Sequence, residues 1–319
     1  MLVSIIIPVY NRAHIVGPTL DSVVAQTHRP LQLVLVDNLS SDNTLEVLRS
    51  FKASHEQADF QIDVVQEPHH TASAARNRGY AEARADWVMF FDSDDLMAPD
   101  LVERYVDVIE RERGCELVCT RGVRVQADGS RYVLPFFTSD LLANHILHSI
   151  LPTQRYIVRR EIYDRAGGWG RDVRGWDDWE IGLRLLLQNP KVAFLADAER
   201  VTVIDSGEAS ITGVDFSSKA GQWERTIDTL LANVRAAGAG VRYERLLHYR
   251  RVVLAALYRH EGRDDLAEPL RRQGMDGLAE SYRGSMRWKL WVKPVVKLLY
   301  GHISAGRRGA ARVARMVVR

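Results

Sequence analysis

The chain has 319 residues, 46% hydrophobic and 26% charged, so it can bury a sizeable core, as an ordinary globular protein does. Its two cysteines exclude a disulfide framework and suit a reducing cytoplasm, and a net charge of +2 leaves no overall polyelectrolyte character. No basic start precedes the apolar first nine residues and no run of about 18 uncharged apolar residues occurs, so neither a secretory signal nor a membrane-spanning helix is expected.

The first predicted element, Ser4-Ile5-Ile6-Ile7-Pro8-Val9-Tyr10-Asn11, reads as a short buried strand that breaks at Pro8 and opens a loop. Residues 14–26 follow as a helix with Ile15, Leu20, Val23 and Val24 apolar. Residues 31–37 form a second apolar strand, which ends on the carboxylate of Asp37. Residues 38–44 are rich in capping side chains ahead of a helix carrying Leu45, Val47, Leu48 and Phe51. Residues 60–66 predict a third strand and 71–84 a third helix, which contains Ala74-Ala75-Arg76-Asn77-Arg78-Gly79.

The fourth strand, Trp87-Val88-Met89-Phe90-Phe91, runs straight into Asp92-Ser93-Asp94-Asp95. Strand alternating with helix at this spacing implies βαβ units and a mostly parallel sheet. Ligands bind beyond the carboxyl ends of such strands, so Asp37, Arg76, Asp92 and Asp94 should gather along one rim. Three clustered acids repel one another unless something positive sits among them. In extended chain, Asp92 and Asp94 would point the same way and share a hard divalent cation. The blander reading is an acidic loop that caps the next helix.

Further along, Cys115 and Cys119 sit in a strand-like apolar run over residues 115–125, too far apart for a disulfide, and read as core thiols. His69-His70 lack further ligands at metal spacing and read as a solvated or capping pair. Residues 176–188 predict a heavily apolar helix with Asp177 and Asp178 in its first turn, where acids also suit the helix dipole. Trp176, Trp179 and Gly175 offer a surface on which a ring could stack; Trp169 reads as a lining of the same site or, more simply, a turn-packing aromatic.

Helices predicted over 223–237, 243–261 and 264–273, the last ended by Gly274, form a C-terminal extension. Residues 283–319 hold ten Lys or Arg and no Asp or Glu, which leaves −8 on residues 1–282. Trp288, Trp291, Val292, Val295, Leu298 and Leu299 fall at helical spacing beside Lys289, Lys293 and Lys297, with Pro294 set to kink or begin the helix. A basic, tryptophan-bearing amphipathic helix suits an anionic membrane surface. Packing on the rest of the protein ranks second and nucleic acid third.

Five segments, in order, resemble the inverting glycosyltransferases of family 2, with the α/β GT-A fold. They are Ser4-Ile5-Ile6-Ile7-Pro8-Val9-Tyr10-Asn11, Val36-Asp37-Asn38-Leu39-Ser40-Ser41-Asp42, Ala75-Arg76-Asn77-Arg78-Gly79, Asp92-Ser93-Asp94-Asp95 and Trp176-Asp177-Asp178-Trp179-Glu180. The resemblance runs from about residue 2 to residue 205 and implies a catalytic domain over 1–213; the helical pattern and the charge make 214–282 a helical extension and 283–319 a basic amphipathic tail. It implies a donor site of Pro8, Tyr10, Asp37, Arg76, Asp92 and Ser93, with Asp37 accepting from a base such as uracil. Asp94, with Asp92, would ligate Mg²⁺ or Mn²⁺ on the diphosphate, and Asp178 would be the general base with Asp177 as its substitute. The implied activity is inverting transfer of a sugar from a nucleoside-diphosphate-sugar, UDP by family habit, to a hydroxyl on a saccharide or lipid-linked acceptor in cell-surface glycan synthesis. The implied location is cytoplasmic and peripheral at the inner face of the membrane.

Two departures stand out: Asn38 replaces a frequent acid, and the loop Ile204-Asp205-Ser206-Gly207-Glu208-Ala209-Ser210 lacks an Arg or His, so the diphosphate either lacks one closing contact or takes it from Lys219. The alternative is a non-catalytic nucleotide-sugar binder or membrane scaffold. A sugar-1-phosphate nucleotidyltransferase ranks lower, because Pro8-Val9-Tyr10-Asn11-Arg12 has one basic residue and no glycine for a triphosphate.

Overall fold

A computed structural model describes residues 1–319 except 172, 174, 205–214, 284, 308 and 319. The chain divides into two compact units. The first holds β1 (Val3–Val9), α1 (Val16–Val24), β2 (Leu31–Asp37), α2 (Thr44–His55), β3 (Phe60–Gln66), α3 (Ala72–Glu82) and β4 (Trp87–Phe90). These strands lie in the order β3-β2-β1-β4, all parallel, as alternation of strand and helix requires. β5 (Leu96–Met97), α4 (Leu101–Arg111), β6 (Leu117–Val125) and β7 (Arg131–Val133) follow. After α5 (Leu141–His148), which belongs to the second unit, come β8 (Tyr156–Arg159), α6 (Arg160–Ala166), α7 (Asp177–Leu187) and β9 (Val192–Ile204). The sheet continues β4-β8-β6-β9-β5; β8 is antiparallel to β4 and β6, while β6 and β9 are parallel. The expected α/β GT-A architecture is therefore present, with antiparallel neighbours entering after β4.

Parity along the strands decides which helix packs where. Odd-numbered residues of β1, β2 and β4, such as Ile5, Leu33 and Met89, join one core with Leu20, Val23, Leu101 and Tyr105 of α1 and α4. The opposite face takes α3, whose Gly79 lies against Ile6 and Val36. Within β2 all seven residues are buried, including Gln32. Gln32 accepts from Ser4 Oγ at 2.6 Å and donates to Asp63 at 2.7 Å and to the Glu82 carbonyl at 2.9 Å, so its burial is satisfied.

Pro8 does not break the first strand. β1 pairs with β2 through Pro8 and Val9, whereas its pairing with β4 ends at Ile6. Strand alternation turns the Pro8 nitrogen to the β4 side, where no ladder partner is left to need a donor. The proline therefore sits where two strands part, and that parting opens the rim.

The second unit takes Ser139–Ile150, Gly182–Leu187 and the C-terminal helices. These are α8 (Ala220–Ala236), α9 (Val241–His260), α10 (Asp264–Ser281), α11 (Lys293–Ser304) and α12 (Ala310–Val317), with one π-helical turn at Trp288–Val292. α10 does not stop at Gly274 but runs seven residues further. The reason is packing: a Cβ on Gly274 would lie 3.0 Å from the His248 carbonyl, and one on Gly277 would lie 2.2 Å from the His248 ring. Both glycines let α10 close onto α9. Pro294 stands in the first turn of α11, directly after the π-helical turn. Among the described residues, no helix is long and apolar enough to cross a membrane. Cys115 and Cys119 are both buried free thiols.

The substitution Gly79→Ala tests the α3 packing. A Cβ there would approach Ile6 Cγ2 to 2.5 Å and Val36 Cγ2 to 2.9 Å. Overpacking should cost about 1–3 kcal/mol and outweigh the helix-propensity gain of about 1 kcal/mol. Urea unfolding should show a net loss; an unchanged or raised midpoint would mean that α3 stands off the sheet.

Candidate active site

The rim is built from the ends of β2, β1 and β4. Asp37 closes β2 and is fully buried: one oxygen accepts from the Ser40 N–H at 3.2 Å and the other from Gln66 Nε2 at 3.0 Å. A carboxylate has about four lone-pair sites, so acceptor capacity remains. Asn38 donates to the carbonyls of Glu67 and His69, both at 2.8 Å. It ties down the approach to α3 instead of supplying charge. Tyr10, just past Pro8, is 46% exposed and meets the His70 ring edge-on at 4.8 Å. His69 serves the same loop, its backbone N–H and ring both on Glu67 at 2.8 Å.

Arg76 joins the distant pieces. Thr71 caps α3, accepting from the Ala74 N–H at 3.1 Å, and Arg76 follows in the second turn with its side chain 7% exposed. It donates to Asp92 at 2.8 Å and to Asp177 at 2.6 Å, and its guanidinium lies 4.4 Å over the ring of Trp169. Burial alone would lower its pKa, but the two carboxylates outweigh that and raise it. Trp169 is buried, its N–H on Asn77 at 3.0 Å and its carbonyl accepting from the Asn77 amide at 2.8 Å. It is a floor beneath Arg76, not an acceptor surface.

The acidic segment after β4 is a turn, with the Asp95 N–H on the Asp92 carbonyl at 3.4 Å, so strand alternation does not aim Asp92 and Asp94 together. Asp92 accepts from Arg76 on one oxygen and from Gln154 Nε2 at 2.6 Å on the other. The Gln154 amide also donates to Asp95. Asp95 is buried and accepts from the Ile204 N–H at 2.8 Å; burial, then the charge of Asp92, pushes its pKa well above the carboxylate range. Ser93 is buried in the turn, and Asp94 meets Arg12 at 3.8 Å with its side chain 28% exposed. Gln154 escaped the sequence reading: it sits in a short turn before β8, without periodicity or charge to mark it. Among the described residues, no group of three His, Cys, Asp or Glu is arranged to hold a metal.

Asp177 and Asp178 open α7 after Trp176, whose φ is +55°. Asp177 is the one held by Arg76. Asp178 accepts from the Trp179 N–H at 2.7 Å, and burial, then the charge of Asp177, pushes its pKa up to about 7. Two adjacent carboxylates are thus set apart: one stays in an ion pair and the other can exchange a proton near neutrality. Trp179 is buried, so the two tryptophans do not form a joint stacking surface; Trp176 alone is half-buried. The loop over 205–210 lies outside the described residues, and Lys219 belongs to the second unit.

Asp37, Arg76, Asp92, Asp94 and Asp178 therefore lie on one rim, linked by β-sheet pairing and by Arg76. Raising a carboxyl pKa makes the native state bind more protons than the unfolded chain between about pH 4 and 7, so this group lowers stability as pH rises through that window. Asp178→Asn should be more stable than the parent by roughly 2–4 kcal/mol at pH 8 and about equal to it at pH 3.5. Urea melts at both pH values decide; a gain that is the same at both would remove the proton linkage.

The match to the Glycosyl transferase family 2 model covers residues 4–167, 164 of the chain's 319. A Bacillus subtilis protein named uncharacterized glycosyltransferase EpsJ is 27% identical over 65% of this chain and 59% of its own length. The glycosyltransferase GlyG of Streptococcus pneumoniae is 23% identical over 77% of this chain and 86% of its own. The putative teichuronic acid biosynthesis glycosyltransferase TuaG of B. subtilis is 33% identical over 40% and 50%. The chain spans about three fifths of the first two curated relatives it matches, 59% and 62% of their lengths. Among solved structures, S. aureus TarS 1-349 in complex with UDP-GlcNAc has a TM-score of 0.69 at 16% identity, covering 99% of this chain and 92% of that one. Mannosyltransferase PcManGT from Pyrobaculum calidifontis, in complex with GDP-Man and Mn²⁺, has a TM-score of 0.54 at 20% identity, covering 99% and 83%. At these identities the likeness is one of fold.

Proposed function

The chain belongs to glycosyl transferase family 2, and from that premise we propose that it moves a hexose from a nucleoside-diphosphate-sugar to a hydroxyl with inversion at the anomeric carbon. The observation that carries this reading is the Arg76 bridge, which seats the acid turn of the donor side beside the carboxyl pair of α7. Asp178 takes the proton of the acceptor hydroxyl. The freed oxygen forms a bond to the anomeric carbon while the bond to the diphosphate oxygen breaks, and that electron pair leaves with the nucleoside diphosphate. No carboxylate is needed as a nucleophile, so one displacement inverts the centre.

Asp37 receives the base N–H, for which uracil N3–H suits a pure acceptor, while Pro8 and Tyr10 flank the nucleoside and Ser93 lines the turn. Arg76 keeps its charge next to the diphosphate and holds Asp92 at the ribose side. The oxygen donors of Asp94 and Asp92 suit Mg²⁺ or Mn²⁺, which needs one or two carboxylates when substrate phosphates and water complete its shell. Bound there, the ion would offset charge on the leaving diphosphate. A UDP-sugar donor is supported by the UDP-GlcNAc complex of TarS, and metal dependence by the Mn²⁺ complex of PcManGT. The name of TuaG supports a saccharide or lipid-linked acceptor in cell-surface glycan synthesis. In this reading residues 1–213 carry catalysis, 214–282 extend it as helices, and 283–319 attach a cytoplasmic protein to the inner face of the membrane.

A panel of nucleotide-sugars incubated with the protein and Mn²⁺ should identify one hydrolysed or transferred donor. Chelation should abolish turnover and Mn²⁺ or Mg²⁺ restore it, and Asp94→Ala should lower kcat by at least about 100-fold. Donor binding without turnover in any metal would favour a non-catalytic binder. Asp178→Ala should cost about 10²–10⁴-fold in kcat while donor affinity stays within about threefold. In the parent, kcat/KM should rise with pH to a plateau above about 7, since the base must be unprotonated, and the variant should lose that limb. A surviving limb would assign the base elsewhere, Asp177 first.

A further inference from the structure

The basic tail divides its apolar residues between two faces. Trp288, Val292, Val296, Leu299 and Ile303 are buried within the helical unit, where α11 packs on α9 and Trp288 stacks on Tyr282 with ring centroids 5.8 Å apart. After that packing is complete, Leu290, Trp291 and Leu298 are still 60%, 70% and 72% exposed, with Met286 at 65% and Met316 at 64%. Met286, Leu290, Trp291 and Met316 line an open apolar groove of about 550 Å³ between the π-helical turn and the end of α12. Isolated exposed apolar side chains are ordinary, but five large ones in one helical hairpin mark an interaction surface.

Charge selects the occupant. Lys289, Lys293 and Lys297 are exposed at four-residue spacing along the same segment, and residues 283–319 contain no acid. Among the described residues, these three lysines make no ion pair within the protein. A second copy of the chain would bring two strongly cationic faces together, which Coulomb repulsion opposes. An anionic lipid surface meets both needs at once: apolar side chains enter the acyl boundary while lysine stems reach back to phosphate.

We propose that the outer face of the hairpin, with Leu290, Trp291 and Leu298 as its inserted residues and Lys289, Lys293 and Lys297 as its headgroup contacts, seats this protein on an anionic phospholipid bilayer. This rests on, and deepens, the peripheral location proposed above, and is independent of the chemistry at the acid cluster. Trp288, which the sequence pattern places on the same stripe as Trp291, faces the protein instead.

The full chain should co-sediment with phosphatidylglycerol-containing vesicles and not with neutral phosphatidylcholine vesicles. Lys289→Gln, Lys293→Gln and Lys297→Gln should each weaken partitioning by about fivefold, roughly a hundredfold together. The triple variant Leu290→Ser, Trp291→Ser, Leu298→Ser should lose at least about tenfold in partitioning while keeping its thermal midpoint, because those side chains are exposed in the folded chain. Brominated lipids should quench the parent more than Trp291→Phe. Failure of the full chain to bind anionic vesicles would overturn the peripheral location itself. Binding that survives in the serine variant, or quenching unchanged in Trp291→Phe, would overturn this face as its seat. A lipid-free dimer that the serine substitutions dissolve would assign the face to a second copy.

Discussion

The site depends on one buried cation. Arg76 rises from α3 with its side chain almost fully buried and holds Asp92, beyond β4, together with Asp177, at the start of α7. Those two acids are 85 residues apart in sequence, and without a positive charge between them their approach would be opposed. Everything near the arginine serves to keep it there. Trp169 lies under the guanidinium, and Asn77, next along the same helix, fixes the backbone of Trp169 from both sides. The helix carrying both can approach the sheet because Gly79 has no side chain to collide with Ile6.

The same arginine sorts carboxylates by role. Asp177 and Asp178 are neighbours with the same side chain, but only Asp177 makes the ion pair with Arg76. Asp178 receives a single backbone N–H, too little to offset burial and the adjacent negative charge, and its pKa moves up to about 7. Gln154 performs a similar sorting on the other side, joining Asp92 and Asp95 through one neutral amide. Asp95 turns inward toward the Ile204 N–H, and burial, then the charge of Asp92, raises its pKa.

Sequence patterning revealed the first half of the fold because its signals are local and repeated. β2 and β3 fall at residues 31–37 and 60–66, as the apolar runs dictate. Pro8 and Gly274 misled for one shared reason: both residues break elements in isolation, and both are tolerated here by what stands beside them. β4 has ended where Pro8 needs no donor, and α9 comes close where Gly274 offers no side chain. Gln154 carried no signal, since its importance lies in two contacts made about 60 residues away. The acids were legible as a set because β-strand ends converge by topology, whereas which acid pairs with Arg76 depends on a turn that no period encodes.

The C-terminal tail shows which force wins when charge and apolar surface compete. Its ten cations follow a remainder of net charge −8, so collapse onto acidic surface is the electrostatic expectation. Asp140 does stand 3.4 Å from Arg315 of α12. Such partly exposed pairs contribute about 0–1 kcal/mol each. Burying Trp288, Val292, Val296, Leu299 and Ile303 contributes about 1.5–3 kcal/mol for each side chain taken from water. Hydrophobic packing therefore sets how the hairpin sits, and the lysines are left on the outside because nothing on the inside requires them. The hairpin thus satisfies one apolar strip inward and keeps a second, flanked by cations, outward.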